Sequence, residues 1–185
     1  EVKTIFHTGK LAELPQLVND PSEKILAVDP DSFEWEFDAQ TITQIPNVKA
    51  VCTSSTSFDW LHPAELKRLG VAVINAPGFS SDSVAEYALC MAIEVARRLP
   101  LIIKDEWKLG SISEPFLLKG RRAGVIGLGR IGTRMAEVLS GIGMEVVYAS
   151  RSSTDSRFTK VSLEELFATS DVIMPALAVN EESSE

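Results

Sequence analysis

Three glycines near the middle of the second half of the chain, Gly127, Gly129 and Gly132, stand at G-x-G-x-x-G spacing. Glycine at these offsets does its chemistry through the backbone. Gly127 permits a tight turn, Gly129 lacks a Cβ so that the main chain can approach a pyrophosphate, and Gly132 lets a helix pack closely on a strand. A helix opening there offers free N–H donors and the positive end of its dipole to an anion. The spacing alone is weak. Here it follows the strand-like Ala123 to Ile126, opens the helical pattern Arg130 to Leu139, and precedes a second strand, Glu145 to Ala149. That context points to a dinucleotide held by Gly127, Leu128, Gly129, Arg130, Ile131 and Gly132. Flavin and S-adenosylmethionine sites use related turns, and glycines kept only for packing are the plain alternative.

The end of the following strand bears on which dinucleotide. An NAD site usually places an acidic residue about 20 positions on, accepting from the ribose 2′-OH. Ser150 stands 18 residues past Gly132 and is followed by Arg151 and Ser152. A guanidinium flanked by two hydroxyls suits a 2′-phosphate, which a carboxylate would repel. The reading is NADP(H), with NAD possible; the plain alternative makes Arg151 a solvated loop residue and the site indifferent.

The rest of the composition excludes more than it assigns. Eighteen Lys and Arg against 26 Asp and Glu leave a formal charge of -8. Such a balance disfavours nucleic acid and anionic membrane surfaces as partners, so an anion must be held by a local site. Cys52 and Cys90 lie in apolar runs, and His7 and His62 are too few for a His-based metal site. Neither histidine reads as catalytic: His62 sits at a helix start and His7 at a strand end. No transmembrane run or secretory leader is visible, and the chain opens on Glu1. A reducing, cytoplasmic location is expected.

Positioning these residues requires alternating strands and helices. Val2 to Phe6, Lys24 to Val28, Val48 to Cys52 and Val71 to Ile74 read as strands, and His62 to Leu69 as a helix closed by Gly70. The alternation implies a mostly parallel sheet. Ser83 to Leu99 is the longest helix, with Ser83 and Glu86 forming a capping box. Its apolar residues from Tyr87 to Ala96 cover nearly the whole circumference, which predicts burial on more than one side, between domains or in a subunit interface. Pro100 and Gly110 punctuate the stretch beyond this helix. Ser162 and Glu165 form a second capping box, Asp171 to Met174 a further strand, and Asn180 to Glu185 a polar tail.

Val73 to Gly78, Ser83 to Glu86 and Gly124 to Gly132 resemble three successive signatures of the D-isomer-specific 2-hydroxyacid dehydrogenases, in order and at that family's spacing. The resemblance runs from about Val48 to Leu177. It implies an α/β chain with a flavodoxin-like N-terminal substrate domain (1–98, with an interdomain helix at 83–98) and the first half of a Rossmann dinucleotide-binding domain (99–185). Ser150-Arg151-Ser152 resembles the glyoxylate/hydroxypyruvate reductase branch, which favours NADPH. The implied activity is hydride transfer between NADP(H) and a small 2-oxo or 2-hydroxy acid, in a homodimer of such subunits. The cofactor would lie in the cleft between domains, with Leu177 and Ala178 on its adenine side. The substrate carboxylate would meet backbone N–H groups of Ser54, Ser55, Thr56 and Ser57. Serines at 55 and 57 replace the family's glycines, and Ser tolerates positive φ poorly, so a reshaped or hydroxyl-lined loop is expected.

The family's Arg, His and Glu of catalysis match no position in the 185 residues, so little turnover is expected from them alone. Three strands in order 3-2-1 would form half of a doubly wound sheet, leaving the glycine-turn strand as an open edge. That predicts recruitment of a partner or of a missing half. A non-enzymatic dinucleotide sensor or corepressor-like module of the same fold is the alternative; a methyltransferase fits the Val73 to Gly78 and Ser83 to Glu86 runs less well.

Overall fold

The computed structural model describes residues 3–104 and 114–177. The expectations at Val2, Gly110, Ala178 and the tail from Asn180 lie outside those residues. The chain divides into two compact units, Glu1–Phe79 and Ser80–Glu185. Each has its own core.

In the first unit, β1 (Lys24–Val28), β2 (Val48–Thr53) and β3 (Ala72–Ile74) form a parallel sheet in that order. Val51 on β2 is fully buried against Leu61 and Leu66, with Phe37, Ile42 and Ile45 completing the core. Helix α1 (Leu14–Leu17) precedes the sheet in the chain, and helix α2 (Pro63–Arg68) packs on β3. Pro63 opens α2 where its missing N–H costs nothing, and Gly70 follows the helix at φ +73°. The strand expected from Val2 to Phe6 does not form over Lys3 to Phe6. Apolar composition makes a strand only where a neighbour supplies a ladder; here β1 remains an edge, and Phe6 is 93% exposed.

The second unit holds α3 (Ser81–Arg97), α4 (Leu99–Lys104), β4 (Arg122–Ile126), α5 (Arg130–Gly141), β5 (Glu145–Ala149), β6 (Thr159–Lys160), α6 (Leu163–Thr169) and β7 (Val172–Pro175). Its four strands are parallel in the order β6-β5-β4-β7. This corrects the expected 3-2-1 arrangement. The Asp171 to Met174 run returns to the far side of β4, and the short β6 takes the place beside β5. The glycine-turn strand is therefore internal, and β6 and β7 are the edges. The crossover is tight because Gly124 has no side chain: a Cβ there would lie 2.6 Å from Leu166 Cγ and 2.5 Å from Ser170 Oγ.

Helix α3 begins three residues earlier than the Ser83 box implies. Ser80 occupies the cap position, and the Ser83 hydroxyl, now inside the first turn, donates to the Ser80 carbonyl at 3.0 Å. At the second box Ser162 is the cap, its hydroxyl accepting from the Glu165 N–H at 3.1 Å. Burial of α3 is one-sided among the described residues. Ala85, Ala88, Ala92 and Ala96 make a buried stripe, whereas Tyr87, Met91, Ile93 and Val95 are exposed. Small residues at i, i+3 and i+4 spacing let α3 lie close on α5, and Asp82 accepts from Arg134 Nε at 2.5 Å. Through these contacts the helix belongs with the second unit, whose boundary falls after Phe79 and not after residue 98.

Candidate functional site

The turn after β4 is set by hydrogen bonds and by the absence of side chains. Gly127 has φ +89°, a conformation that favours glycine, and its N–H donates to the Ala149 carbonyl at 2.8 Å. On its other side a Cβ would lie 2.8 Å from the Ala176 carbonyl oxygen. The turn is thus wedged between the ends of β5 and β7. Gly132, one turn into α5, faces Gly127 so closely that a Cβ would overlap the Gly127 carbonyl. Gly129 differs from both. It caps α5 in extended backbone, and a Cβ there would meet nothing within 4 Å.

The first intrahelical bond of α5 runs from the Thr133 N–H to the Gly129 carbonyl at 2.9 Å. The amides of Arg130, Ile131 and Gly132 therefore precede the helical ladder and have no intrahelical acceptor. Open space at a helix N-terminus, with donors and no Cβ, fits a diphosphate. The side chains contribute unequally: Leu128 is buried in the core, so only its backbone is available, Ile131 is half-buried and Arg130 is exposed.

Beyond β5 the chain forms a pinned loop. The Ser150 hydroxyl accepts from the Ser153 N–H at 3.2 Å, and the buried Tyr148 hydroxyl accepts from the Asp155 N–H at 3.0 Å. Arg157 donates to both carboxylate oxygens of Asp155 and, at 2.6 Å, to Glu137 on α5. These bonds from Arg157 hold the Asp155 carboxyl down at about 2 and, with Arg134, keep Glu137 below its ordinary range. Arg157 itself is pushed above its ordinary value by the same two carboxylates. Arg151 and Ser152 are exposed at the start of this loop. Leu177, 52% exposed, follows β7 beside Gly127. The structure thus gathers the glycine turn, Ser150 to Ser152 and Leu177 at the C-terminal ends of β4, β5 and β7.

The serine loop after β2 is built differently from the expectation. None of Ser54 to Ser57 has positive φ, so the strain argument does not arise. The loop is instead held by hydroxyls. Ser55, buried, donates to the Ser57 carbonyl at 2.5 Å and bonds Thr53 Oγ1 at 2.9 Å. Asn75 Nδ2 donates to the Thr56 carbonyl at 2.8 Å, and the Ala76 N–H to the Ser55 carbonyl at 3.1 Å. Carbonyls are thereby turned into the protein, and the N–H groups of Thr56 and Ser57 have no acceptor among the described residues. Two such donors can grip a carboxylate.

His62 opens α2 at φ 51° as a helix-start residue. His7 lies in no strand; its Nε2 stands 3.4 Å from Glu13 and 3.3 Å from the Lys10 carbonyl. No cluster of three metal-ligating side chains exists among the described residues, and none of their helices is long and apolar enough to cross a membrane. Sequence reasoning missed Asp29, Tyr148 and Arg157. Asp29 could have been found, because it follows β1 directly, as Ser54 follows β2, and strand C-terminal ends are where parallel sheets bind ligands.

Known proteins resemble this chain over most of its length. The family description "D-isomer specific 2-hydroxyacid dehydrogenase, NAD binding domain" matches residues 89–185. A glyoxylate reductase of Aeropyrum pernix is 29% identical over 163 residues, covering 79% of this chain and 48% of the relative. A D-lactate dehydrogenase of Treponema pallidum is 33% identical over 141 residues, 70% of this chain and 42% of that protein. The chain thus spans about half the length of the curated relatives it matches. Among solved structures, an acyclic imino acid reductase in complex with NADPH and D-arginine is similar with a TM-score of 0.75 and 25% identity, covering 95% of this chain and 57% of that one.

Proposed function

Because the chain belongs to the D-isomer-specific 2-hydroxyacid dehydrogenase family, we propose that its second unit holds NADP(H) and its first unit grips the carboxylate of a small 2-oxo or 2-hydroxy acid. The observation that carries the reading is the opening at Gly129: free space at its Cβ position, at the cap of a helix whose first amides have no intrahelical acceptor. Hydride transfer to a carbonyl carbon is the chemistry a bound nicotinamide supplies. The residues of this chain bind and orient. Amides from Leu128 to Gly132 neutralise the diphosphate, which an acidic protein cannot do with its net field. Arg151 pairs with a 2′-phosphate, flanked by the hydroxyls of Ser150 and Ser152, and Leu177 covers the adenine side. Ser55, Thr56 and Ser57 supply the loop that holds the acid.

Reduction at neutral pH needs a proton donor beside the substrate oxygen. His7 is engaged with Glu13 and Lys10, and His62 opens α2. These 185 residues are therefore binders with little turnover of their own. The exposed Tyr87, Met91 and Val95 on α3 suit pairing with a second copy.

Titration with NADPH, followed at the amides of Gly129 to Gly132, tests the reading. Saturable shifts confined to this turn and to Ser150–Ser152 support it; no shift at the turn overturns it. NADPH oxidation by glyoxylate or hydroxypyruvate in the protein of native length then separates an enzyme from a dinucleotide sensor, which would bind without turnover.

A further inference from the structure

The loop proposed to hold the substrate carboxylate has an unusual electrostatic neighbour. Asp29 follows β1 directly, and its carboxylate accepts from the Ser54 hydroxyl at 3.3 Å. The other oxygen accepts from the N–H and hydroxyl of Ser32, at 3.1 and 3.0 Å. Asp29 is thereby fixed beside the first residue of the serine loop, with its charge still exposed. A second tie runs in parallel: Trp35 packs edge-on against Trp60 with ring centroids 5.9 Å apart, and Trp60 Nε1 donates to the Ser57 carbonyl at 3.3 Å. The segment after β1 is therefore held to both ends of the loop after β2.

The surrounding sequence offers little to offset this charge. Between Ile25 and Leu66 it has seven Asp and Glu and a single Lys or Arg, Lys49. Lys49 lies near the start of β2, at the other end of the strand from Ser54, and pairs with Glu23 at 3.6 Å. A single carboxylate can still be held, because the amides of Thr56 and Ser57 are donors at short range. A second anionic group on the same small molecule adds a like charge to a loop whose first residue is bonded to Asp29.

Resting on the reading of Ser55 to Ser57 as the acid-binding loop, we propose that Asp29 is a specificity-determining residue that restricts the substrate to 2-oxo acids with no negative charge beyond the reacting carboxylate. Dicarboxylic and phosphorylated 2-oxo acids are disfavoured by like-charge repulsion, while alkyl or hydroxyl ends are accepted. The device is negative selection: it adds no attraction for the accepted acid and raises the free energy of the rejected one.

The test uses the 185-residue chain and two probes of matched length, 2-oxopentanoate and 2-oxoglutarate, with binding followed at the amides of Ser54 to Ser57. The monoanion is expected to bind at least about fivefold more tightly than the dianion at low salt, the size of a like-charge contact at about 4 Å in bulk water. Asp29→Asn, which keeps an acceptor for Ser54, should bring the two acids to within about twofold by tightening the dianion more than the monoanion. Raising the salt on the unaltered protein should narrow the same gap without any substitution, since exposed charges are screened. If both acids bind the loop equally in the parent protein, or the gap survives both Asp29→Asn and high salt, the assignment to Asp29 is wrong while the acid-binding loop stands. If neither acid shifts these amides, the loop reading fails and takes this inference with it.

Discussion

Gly132 faces the carbonyl oxygen of Gly127 at a distance that leaves no room for a Cβ, while Gly129, between them in sequence, borders open space. The two positions should therefore respond differently to the same substitution. Gly132→Ala forces α5 away from the β4 turn and is expected to cost about 1–3 kcal/mol of stability, the range for overpacking a close contact. Gly129→Ala has no protein atom to displace, so urea unfolding should move little, yet calorimetric titration with NADPH should show binding weakened by at least about tenfold. Equal losses of stability in both variants would contradict the assignment of Gly129 to the ligand.

Arg151 sits exposed at the start of the loop that follows β5. A guanidinium paired with a 2′-phosphate contributes a charge-assisted hydrogen bond that NADH cannot use. Arg151→Ala is expected to weaken NADPH by about tenfold and leave NADH within about twofold, which fluorescence titration of both cofactors measures directly. A parent protein that binds NADH as tightly as NADPH would reverse the cofactor assignment.

How far the sequence could be read depends on how local each signal is. The Gly127 turn is legible because spacing, preceding strand and following helix all lie within one short stretch. Gly70 as a helix stop and Ser162 as a cap are legible for the same reason. The Ser83 box fails because Ser80, Ser81 and Ser83 compete for one cap, and packing of the alanine stripe on α5 decides the register. Lys3 to Phe6 and Lys24 to Val28 look alike in composition, but only the second finds a neighbour. Strand order is the least local property. Nothing within Asp171 to Met174 says on which side of β4 it will pair, and the two-residue β6 is too short to carry a pattern. Long-range side-chain partners, such as Asp29 with Ser54 and Arg157 with Glu137, are invisible for the same reason.

The Arg157 cluster gives the second unit a defined response to acid. Asp155 is held at about 2 and Glu137 below its ordinary value, in each case chiefly by hydrogen bonds from Arg157. A carboxyl with a lowered folded pKa contributes stability that is complete above its unfolded value, about 4, and is lost as pH falls toward the folded value. Urea midpoints should hold from neutrality to about pH 5 and then drop as pH approaches 2. Arg157→Gln is expected to lower the midpoint at neutral pH and to flatten the fall below about pH 4, because the two carboxyls then titrate nearer their unfolded values. Parallel acid curves for parent and variant would show that these ion pairs contribute nothing to the pH dependence.

Ser55 and Ser57 occupy the same loop but do different work. The Ser55 hydroxyl is buried, donates to the Ser57 carbonyl and bonds Thr53 Oγ1, so its removal strips one hydrogen bond from each of these two atoms. Ser55→Ala is expected to cost about 1–3 kcal/mol and to loosen the orientation that turns the Thr56 and Ser57 amides outward. Ser57 is exposed, and its place in the network is its carbonyl, which receives both Ser55 Oγ and Trp60 Nε1. Ser57→Ala keeps that carbonyl and should leave stability within about 0.5 kcal/mol of the parent. Thermal unfolding of the two variants, paired with 2-oxopentanoate titration, distinguishes a loop held by one buried hydroxyl from one in which the serines are interchangeable.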